Sequence, residues 1–485
     1  MGSLLSSLSH NDTDDGRSQL ESYVGIKQQH LLKYWDELNS EEKKDFAKQL
    51  RSIDICEAEN FFEKSAIPKK LGKLEPIDLD HTAIRKNIPE EKLTEYFNIA
   101  LDAIAENKVA AVVLAGGQAS RLGAKEPKGT LGLGIEEYEA YNSLLGIQAG
   151  RIVRLQNLAQ TKHSNKEFRI QWLIMTSEAT YAATRRFIEA NVDMWKMNRD
   201  QITIFNQAQL PCFDFDGKII LADKGRMATA PNGNGGLYDA LLPYLNILRE
   251  KGVRYFHVYC VDNILCRVVD PHFMGFCIAN DADCAAKVVE KTDPAEEVGV
   301  VCRDEGITKV VEYSEIPAET ASARDEDGRL IFRAGNIANH YFTIDFLDKV
   351  CGDITAQLPY HRACKKIPYV SDDGVIIKPE EANGIKLERF VFDIFMHSTN
   401  FFIWEVKREE EFSPLKNADS AEKDCRSSCV RDLYSEHRRW LTEKGAQIEG
   451  DGRVLIHPLR SYCGEDLDDF KDTDVVTPYF IDQRL

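Results

Sequence analysis

Val109-Ala-Ala-Val-Val-Leu114-Ala-Gly-Gly117 is a short, unbroken apolar run that ends in paired glycines. A strand with one wet face alternates polar and apolar side chains. A continuous valine-rich run therefore predicts a strand buried on both faces, as in a parallel sheet. Similar runs follow at 168–175, 254–261 and 284–289, with helical periodicity between them at 144–155 and 178–190. That alternation predicts βαβ units and a doubly wound α/β sheet, mostly parallel, in which ligands bind beyond the carboxyl ends of the strands. After about residue 300, strand-like stretches at 310–312 and 339–344 and a turn at Asp325-Glu-Asp-Gly328 predict antiparallel additions that make the sheet mixed.

Outward from this sheet, the chain reads as four consecutive parts. Residues 1–20 are rich in Ser, Asp and Asn and poor in apolar side chains, which predicts a disordered tail. In residues 21–105, Asn39 followed by Glu42 has the form of a reciprocal helix cap, and Phe46, Ala47 and Leu50 recur at helical spacing; this part is expected to be a helical N-terminal domain. Residues 106–412 form the central domain. A polar stretch at 418–428 and the glycines Gly445, Gly450 and Gly452 mark residues 413–485 as a small C-terminal domain. No internal repeat is present.

Composition excludes several classes of function. A chain of 485 residues with 43% hydrophobic and 29% charged residues is ordinary for a globular protein, and no apolar stretch approaches the roughly 20 residues of a membrane helix. A net charge of -18 repels nucleic-acid backbones, so phosphate chemistry must be local and no nucleic-acid partner is expected. Twelve cysteines are scattered singly, and Cys425 and Cys429 lack the two-residue spacing of a zinc knuckle, which suits a reducing, cytoplasmic setting. There is no apolar signal segment. Met1-Gly2-Ser3-Leu4-Leu5-Ser6 matches the N-myristoylation pattern, read here as chance because the pattern is short and one acyl chain anchors only marginally.

The chemistry starts in the loop after the first strand. Gly116 and Gly117 allow a tight turn that presents bare amides toward an anion. Arg121, Gly123 and Pro127-Lys128-Gly129 follow, and place two cations beside a phosphate-shaped loop. The dinucleotide fingerprint G-x-G-x-x-G is missing, and Lys128-Gly129-Thr130 is not the Gly-Lys-Ser/Thr of a Walker loop. Asp262, directly after the run ending at Val261, is placed to bind a divalent cation together with substrate phosphates; taken alone it reads more readily as a turn or cap residue. The glycines of Ala230-Pro-Asn-Gly-Asn-Gly-Gly-Leu-Tyr238 suit close approach to a flat ligand or a flexible loop.

At these places the sequence resembles the eukaryotic UDP-N-acetylhexosamine pyrophosphorylases. Residues 114–129 match the family signature LAGGxGTRLGxxxPKG except at one Gly and one Thr. Segments 230–238, 257–263, 287–292, 311–316, 334–340, 383–386 and 411–419 are similar to the family as well, and the likeness covers roughly residues 85–420. The resemblance implies a Rossmann-like fold of the nucleotide-diphospho-sugar transferase type. It also implies a uridylyltransferase that makes UDP-N-acetylglucosamine and pyrophosphate from UTP and N-acetylglucosamine 1-phosphate, with N-acetylgalactosamine 1-phosphate a further candidate substrate. Carried over residue by residue, Leu114, Ala115, Gly116, Gly117, Gln207 and Gly233 would hold the uridine. Arg121, Lys128, Lys386 and Lys416 would be the catalytic cations on the phosphates, and Asp262 would hold Mg²⁺ or Mn²⁺. Asn234, Gly299, Glu312, Tyr313 and Asn336 would contact the sugar, as Lys416 would its phosphate. A monomer or a homodimer is expected, with no membrane contact.

The match departs at Ala119, where the family has Gly, at Ser120, where it has Thr, and at Asn232, where it has Asp. The loop 131–142 is also unlike the family. A Cβ at Ala119 would cost on the order of 1 kcal/mol if the loop needs a positive φ there, so a weakly active or non-catalytic homologue is kept as an alternative, as is a UDP-glucose-type pyrophosphorylase. A glycosyltransferase would use Asp214-Phe-Asp216 as a metal-binding D-x-D. Its setting, ending in Asp216-Gly217, reads instead as a hairpin turn.

Overall fold

A computed structural model describes residues 13–67, 70–163 and 168–483. The chain divides into two compact units, each assembled from separated segments: residues 1–70, 208–235 and 358–390 make one, and residues 71–207, 236–357 and 391–485 the other. This interleaved division differs from the consecutive one expected from the sequence.

The larger unit is built on an eleven-stranded mixed sheet. Across its width run Thr82–Ile84, Phe401–Val406, Cys284–Glu290, Ala334–Thr343, Tyr255–Cys260, Val109–Leu114, Gln171–Thr176 and Ile202–Asn206. The Val109–Leu114 strand is buried at all six positions. It pairs in parallel with Tyr255–Cys260 on one side and Gln171–Thr176 on the other, as the unbroken apolar runs require. Ala334–Thr343 runs antiparallel to Tyr255–Cys260 and Cys284–Glu290, which makes the sheet mixed. Helices Leu144–Lys162 and Glu178–Asn191 connect the parallel strands. The largest core of the unit includes Trp172, Trp195, Tyr259 and Trp404.

Two expectations for the N-terminal region are corrected. The segment 21–105 is not helical throughout: Leu74–Glu75 pairs with Val300–Asp304, and Thr82–Ile84 pairs in parallel with Phe401–Val406. Strands of two and three residues are too short to show a period of two, and partners more than 200 residues away decide them. Of the tail expected over residues 1–20, the described part is helical, because a helix spans Thr13–Val24, and residues 1–12 lie outside the described residues. Leu20 and Val24 lie one turn apart on it and both are buried, so a small apolar stripe outweighs a polar composition. The Met1–Ser6 pattern lies outside the described residues.

The segment 413–485 packs within the larger unit. On helix Arg426–Glu443, Cys429 and Leu433 join the main core, while Trp440 and Leu441 share a smaller core with Val454, Ile456 and Val475. The buried Tyr138 hydroxyl donates to the Ile456 carbonyl at 2.7 Å. Among the described residues no helix is long and apolar enough to cross a membrane.

The smaller unit is a layer of helices on short hairpins. Helix Ser40–Arg51 starts with the expected capping box: the Asn39 side chain accepts from the Glu42 amide, and Glu42 accepts from that of Asn39. Its Phe46 and Leu50, with Phe62 of helix Ile55–Ser65, pack on Phe213, Ile385 and Leu387. The Asp214–Gly217 stretch is the hairpin turn anticipated for it. Asp214 Oδ1 accepts from the amides of Asp216 and Lys218 at 2.9 and 2.8 Å, so this side chain builds the turn.

Candidate active site

In the larger unit, the carboxyl ends of the central strands are level. Leu114 pairs with Cys260 on one side and Met175 on the other, so the loops after all three leave the sheet together. The first loop turns at Gly116. A Cβ there would lie 2.4 Å from Gln207 Nε2, which makes glycine the residue that lets the backbone and this amide meet. The Ser177 hydroxyl donates to the Gly116 carbonyl at 2.8 Å, and the Gln207 backbone N–H donates to the Thr176 carbonyl, so the loop and the backbone that carries Gln207 are both fixed. Gln207 is buried, and its Oε1 has no hydrogen-bond partner among the described residues. A buried carbonyl without a donor is costly, and the N–H of a bound base would satisfy it.

Lys128 returns to this loop, its amide donating to the Gly117 carbonyl at 3.2 Å. Its ammonium lies 3.4 Å from the Asp262 carboxylate, and both side chains are about one-fifth exposed. Asp262 in turn is tied to the segment that carries Lys416. The Leu415 amide donates to the Asp262 carbonyl at 2.8 Å, and the Asn263 side chain bridges to the Glu411 carbonyl and the Ser413 amide at 2.7 and 2.9 Å. Arg121 and Lys416 line one cavity of about 1010 Å³, together with Arg408 and Lys423.

The residues expected on the sugar side of this unit also converge. Gly299 lies against Glu312, since a Cβ on it would approach Glu312 Oε1 to 2.9 Å, and the Gly299 carbonyl accepts from the Asn336 amide at the same distance. The sheet register explains this, because Val300 pairs with both Val311 and Gly335. Tyr313 follows Glu312 and is exposed. Gly233, Asn234 and Lys386 belong to the smaller unit. There Gly233 has φ +86° and packs against the Arg389 backbone, one position past the strand Gly384–Glu388 that carries Lys386.

The donor set fits a magnesium ion bound mainly through its substrate. Among the described residues no group of three His, Cys, Asp or Glu side chains is placed to hold a metal, and Asp262 offers a single carboxylate. Mg²⁺ keeps most of its shell for waters and phosphates and needs one or two carboxylates.

Ala119, the departure that suggested a strained loop, is unstrained. Its φ is -84°, and its buried methyl lies inside the loop it was expected to distort. The positive φ falls instead on Gly123, at +76°.

Sequence reasoning missed a buried charge cluster behind the site. Lys287 is fully buried in strand Cys284–Glu290 and donates to Asp270 at 2.6 Å and to Glu411. Burial and the ammonium act in opposite directions on Asp270, and the ammonium prevails, holding this carboxyl well below its usual range. Arg267 pairs with Glu411 and Glu436 at 3.5 and 3.1 Å. The signal was a lysine in the middle of an apolar run, which demands buried carboxylates.

Comparison with known proteins agrees with this geometry. Residues 59–453 match the model of the UTP–glucose-1-phosphate uridylyltransferase family. The chain is 46% identical over 450 residues to a probable UDP-N-acetylglucosamine pyrophosphorylase of Caenorhabditis elegans, with 92% of each chain covered. It is 36% identical over 468 residues to the UDP-N-acetylglucosamine pyrophosphorylase of Saccharomyces cerevisiae, covering 93% of this chain and 96% of that one. The crystal structure of the Trypanosoma brucei uridine diphosphate N-acetylglucosamine pyrophosphorylase superposes with a TM-score of 0.83 at 29% identity, over 99% of this chain and 100% of that one. With most of its length matched by both the family model and these relatives, the chain belongs to the UTP–glucose-1-phosphate uridylyltransferase family, in company with its UDP-N-acetylglucosamine pyrophosphorylases.

Proposed function

We propose that this nucleotidyltransferase joins the uridylyl group of UTP to N-acetylglucosamine 1-phosphate and releases pyrophosphate. The observation that carries the reading is the Lys128 ammonium beside the Asp262 carboxylate, at the mouth of a loop whose glycine backbone closes on Gln207. A phosphate oxygen of the sugar phosphate attacks the α-phosphorus of UTP. The new P–O bond forms as the bond to the β-phosphate oxygen breaks, and pyrophosphate leaves with the electron pair.

No protein nucleophile is needed, so the work of the chain is to bring two anions together and hold them in line. Lys128, Arg121 and Lys416 supply fixed positive charge, which stabilises a transition state that spreads negative charge over the phosphoryl oxygens. Mg²⁺ held by Asp262 would add Lewis-acid neutralisation of the phosphates. Gln207 Oε1 accepts from the uracil ring N–H, and Gly299, Glu312, Tyr313 and Asn336 face the sugar. For the smaller unit, the proposal assigns Gly233 to uridine, Asn234 to the sugar and Lys386 to phosphate.

Pyrophosphate release from UTP with the 1-phosphates of glucose, N-acetylglucosamine and N-acetylgalactosamine, each with and without Mg²⁺, tests the reading. The expected outcome is metal-dependent turnover that favours the N-acetylated sugars. Preference for glucose 1-phosphate would overturn it.

A further inference from the structure

The strand Ala334–Thr343 does not run evenly along its partner. Between Lys287 and Val288 the register slips, so that Asn339 and Asn336 oppose consecutive residues and Ile337 and Ala338 are extra. Ala338 takes φ +50°, uncommon for a residue with a Cβ. The bulge brings the Ala338 amide under the side chain of its own neighbour, and it donates to Asn336 Oδ1 at 3.2 Å.

That contact fixes more than a distance. A backbone N–H can only donate, so the atom of the Asn336 amide that faces it must be the carbonyl oxygen. His340 Nε2 lies 3.1 Å from the same oxygen and must therefore carry a proton. The other ring nitrogen, Nδ1, is then bare, and it has no hydrogen-bond partner among the described residues. The imidazole is fully buried and wedged against Phe395 at 5.0 Å and Phe342 at 6.0 Å. Burial keeps it neutral by lowering its pKa to about 3.

We propose that His340 is a positioning residue for sugar selection: as its Nε2–H tautomer it holds the Asn336 carbonyl inward, so that Asn336 offers the sugar only its NH₂. With both acceptor directions of Oδ1 engaged, Asn336 becomes a one-way donor. A sugar substituent that accepts a hydrogen bond, such as an amide carbonyl, is favoured there, and a sugar without one leaves the donor unpaired. The inference rests on the reading of Asn336 as a sugar contact; the tautomer and the amide orientation do not.

The test compares H340F, which keeps an aromatic wedge but cannot donate, with H340Q, whose amide nitrogen can take the place of Nε2. H340F is expected to raise KM for N-acetylglucosamine 1-phosphate by about tenfold, equivalent to one lost hydrogen bond. It should also narrow the preference over glucose 1-phosphate while leaving KM for UTP within about twofold, and H340Q should recover most of the difference. Unchanged sugar selectivity in H340F, equal losses for UTP and sugar, or a glutamine variant no better than phenylalanine would each overturn the proposal. Nitrogen-15 chemical shifts of the His340 ring in the substrate-free protein give a second readout. A protonated Nδ1 refutes the inference, whereas a bare Nδ1 supports it. If the parent protein does not use the N-acetylated substrate, the functional reading falls by itself, and the ring nitrogens still decide whether His340 holds the Asn336 carbonyl inward.

Discussion

Lys128 and Gly116 show how differently two residues of one loop act. Lys128 makes a single 3.4 Å contact with Asp262 and keeps its ammonium partly open, so its removal takes little from the fold. Lys128→Ala is expected to lower kcat by about 10²- to 10³-fold, the usual effect of losing one donor to transition-state charge, with Tm close to the parent value. Steady-state rates set beside a thermal melt check this, and near-normal turnover would remove Lys128 from the mechanism. At Gly116 a methyl group would intrude on the Gln207 amide, which ends a flexible side chain and can swing aside. Gly116→Ala should raise KM for UTP while the melt hardly moves, as titration with the nucleotide would reveal. Both residues were legible in the sequence because loop glycines and clustered cations carry a local signature. Ala119 was misjudged because φ cannot be read from residue type: the turn places its positive φ on Gly123.

At the scale of elements, the central strands were legible wherever burial on both faces left an unbroken apolar run. Thr82–Ile84 and Leu74–Glu75 were not, because three residues or fewer have no period and distant partners decide them. The sugar side was legible only through resemblance, since Gly299, Glu312 and Asn336 meet through the pairing of Val300 with Val311 and Gly335. Lys287 shows what such pairing demands energetically. It joins the strand Cys284–Glu290 to Asp270 and to Glu411, whose carbonyl is held by Asn263 next to Asp262. Lys287→Met would take the ammonium from two buried carboxylates, leaving Glu411 only the 3.5 Å pair with Arg267, and is expected to destabilise the fold by about 3–5 kcal/mol, measured as a shift of the urea midpoint. A midpoint within error of the parent would mean that water reaches the cluster.

For the whole molecule, the buried histidines set the acid limit. Burial lowers His257, His340 and His437 to about 3 and His457 to about 4, against an ordinary value of 6.5. Below pH 6.5 the unfolded chain therefore takes up protons that the folded chain refuses. Stability is full above that pH and falls as pH drops toward 4, each histidine contributing up to about 1.4 kcal/mol per pH unit. Glu405 and Glu436, raised by burial, act in the opposite direction near their own range and soften the loss. Urea unfolding at pH 7.5, 6 and 5 should show a falling midpoint, and a flat profile would contradict neutral burial of these rings. The interleaving of the two units was beyond sequence reading, because composition changes along the chain mark neighbours in sequence and say nothing of segments that return.

That interleaving has a consequence in time. The helices carrying Phe46, Leu50 and Phe62 find their apolar partners on Phe213, Ile385 and Leu387, the last two more than 300 residues later in the chain. At a synthesis rate of about 5–20 residues per second, their greasy faces wait roughly 15 to 60 seconds for the partner strand to leave the ribosome. The first part of the protein to be made is thus among the last to be covered, and through that interval it is a natural client for chaperones.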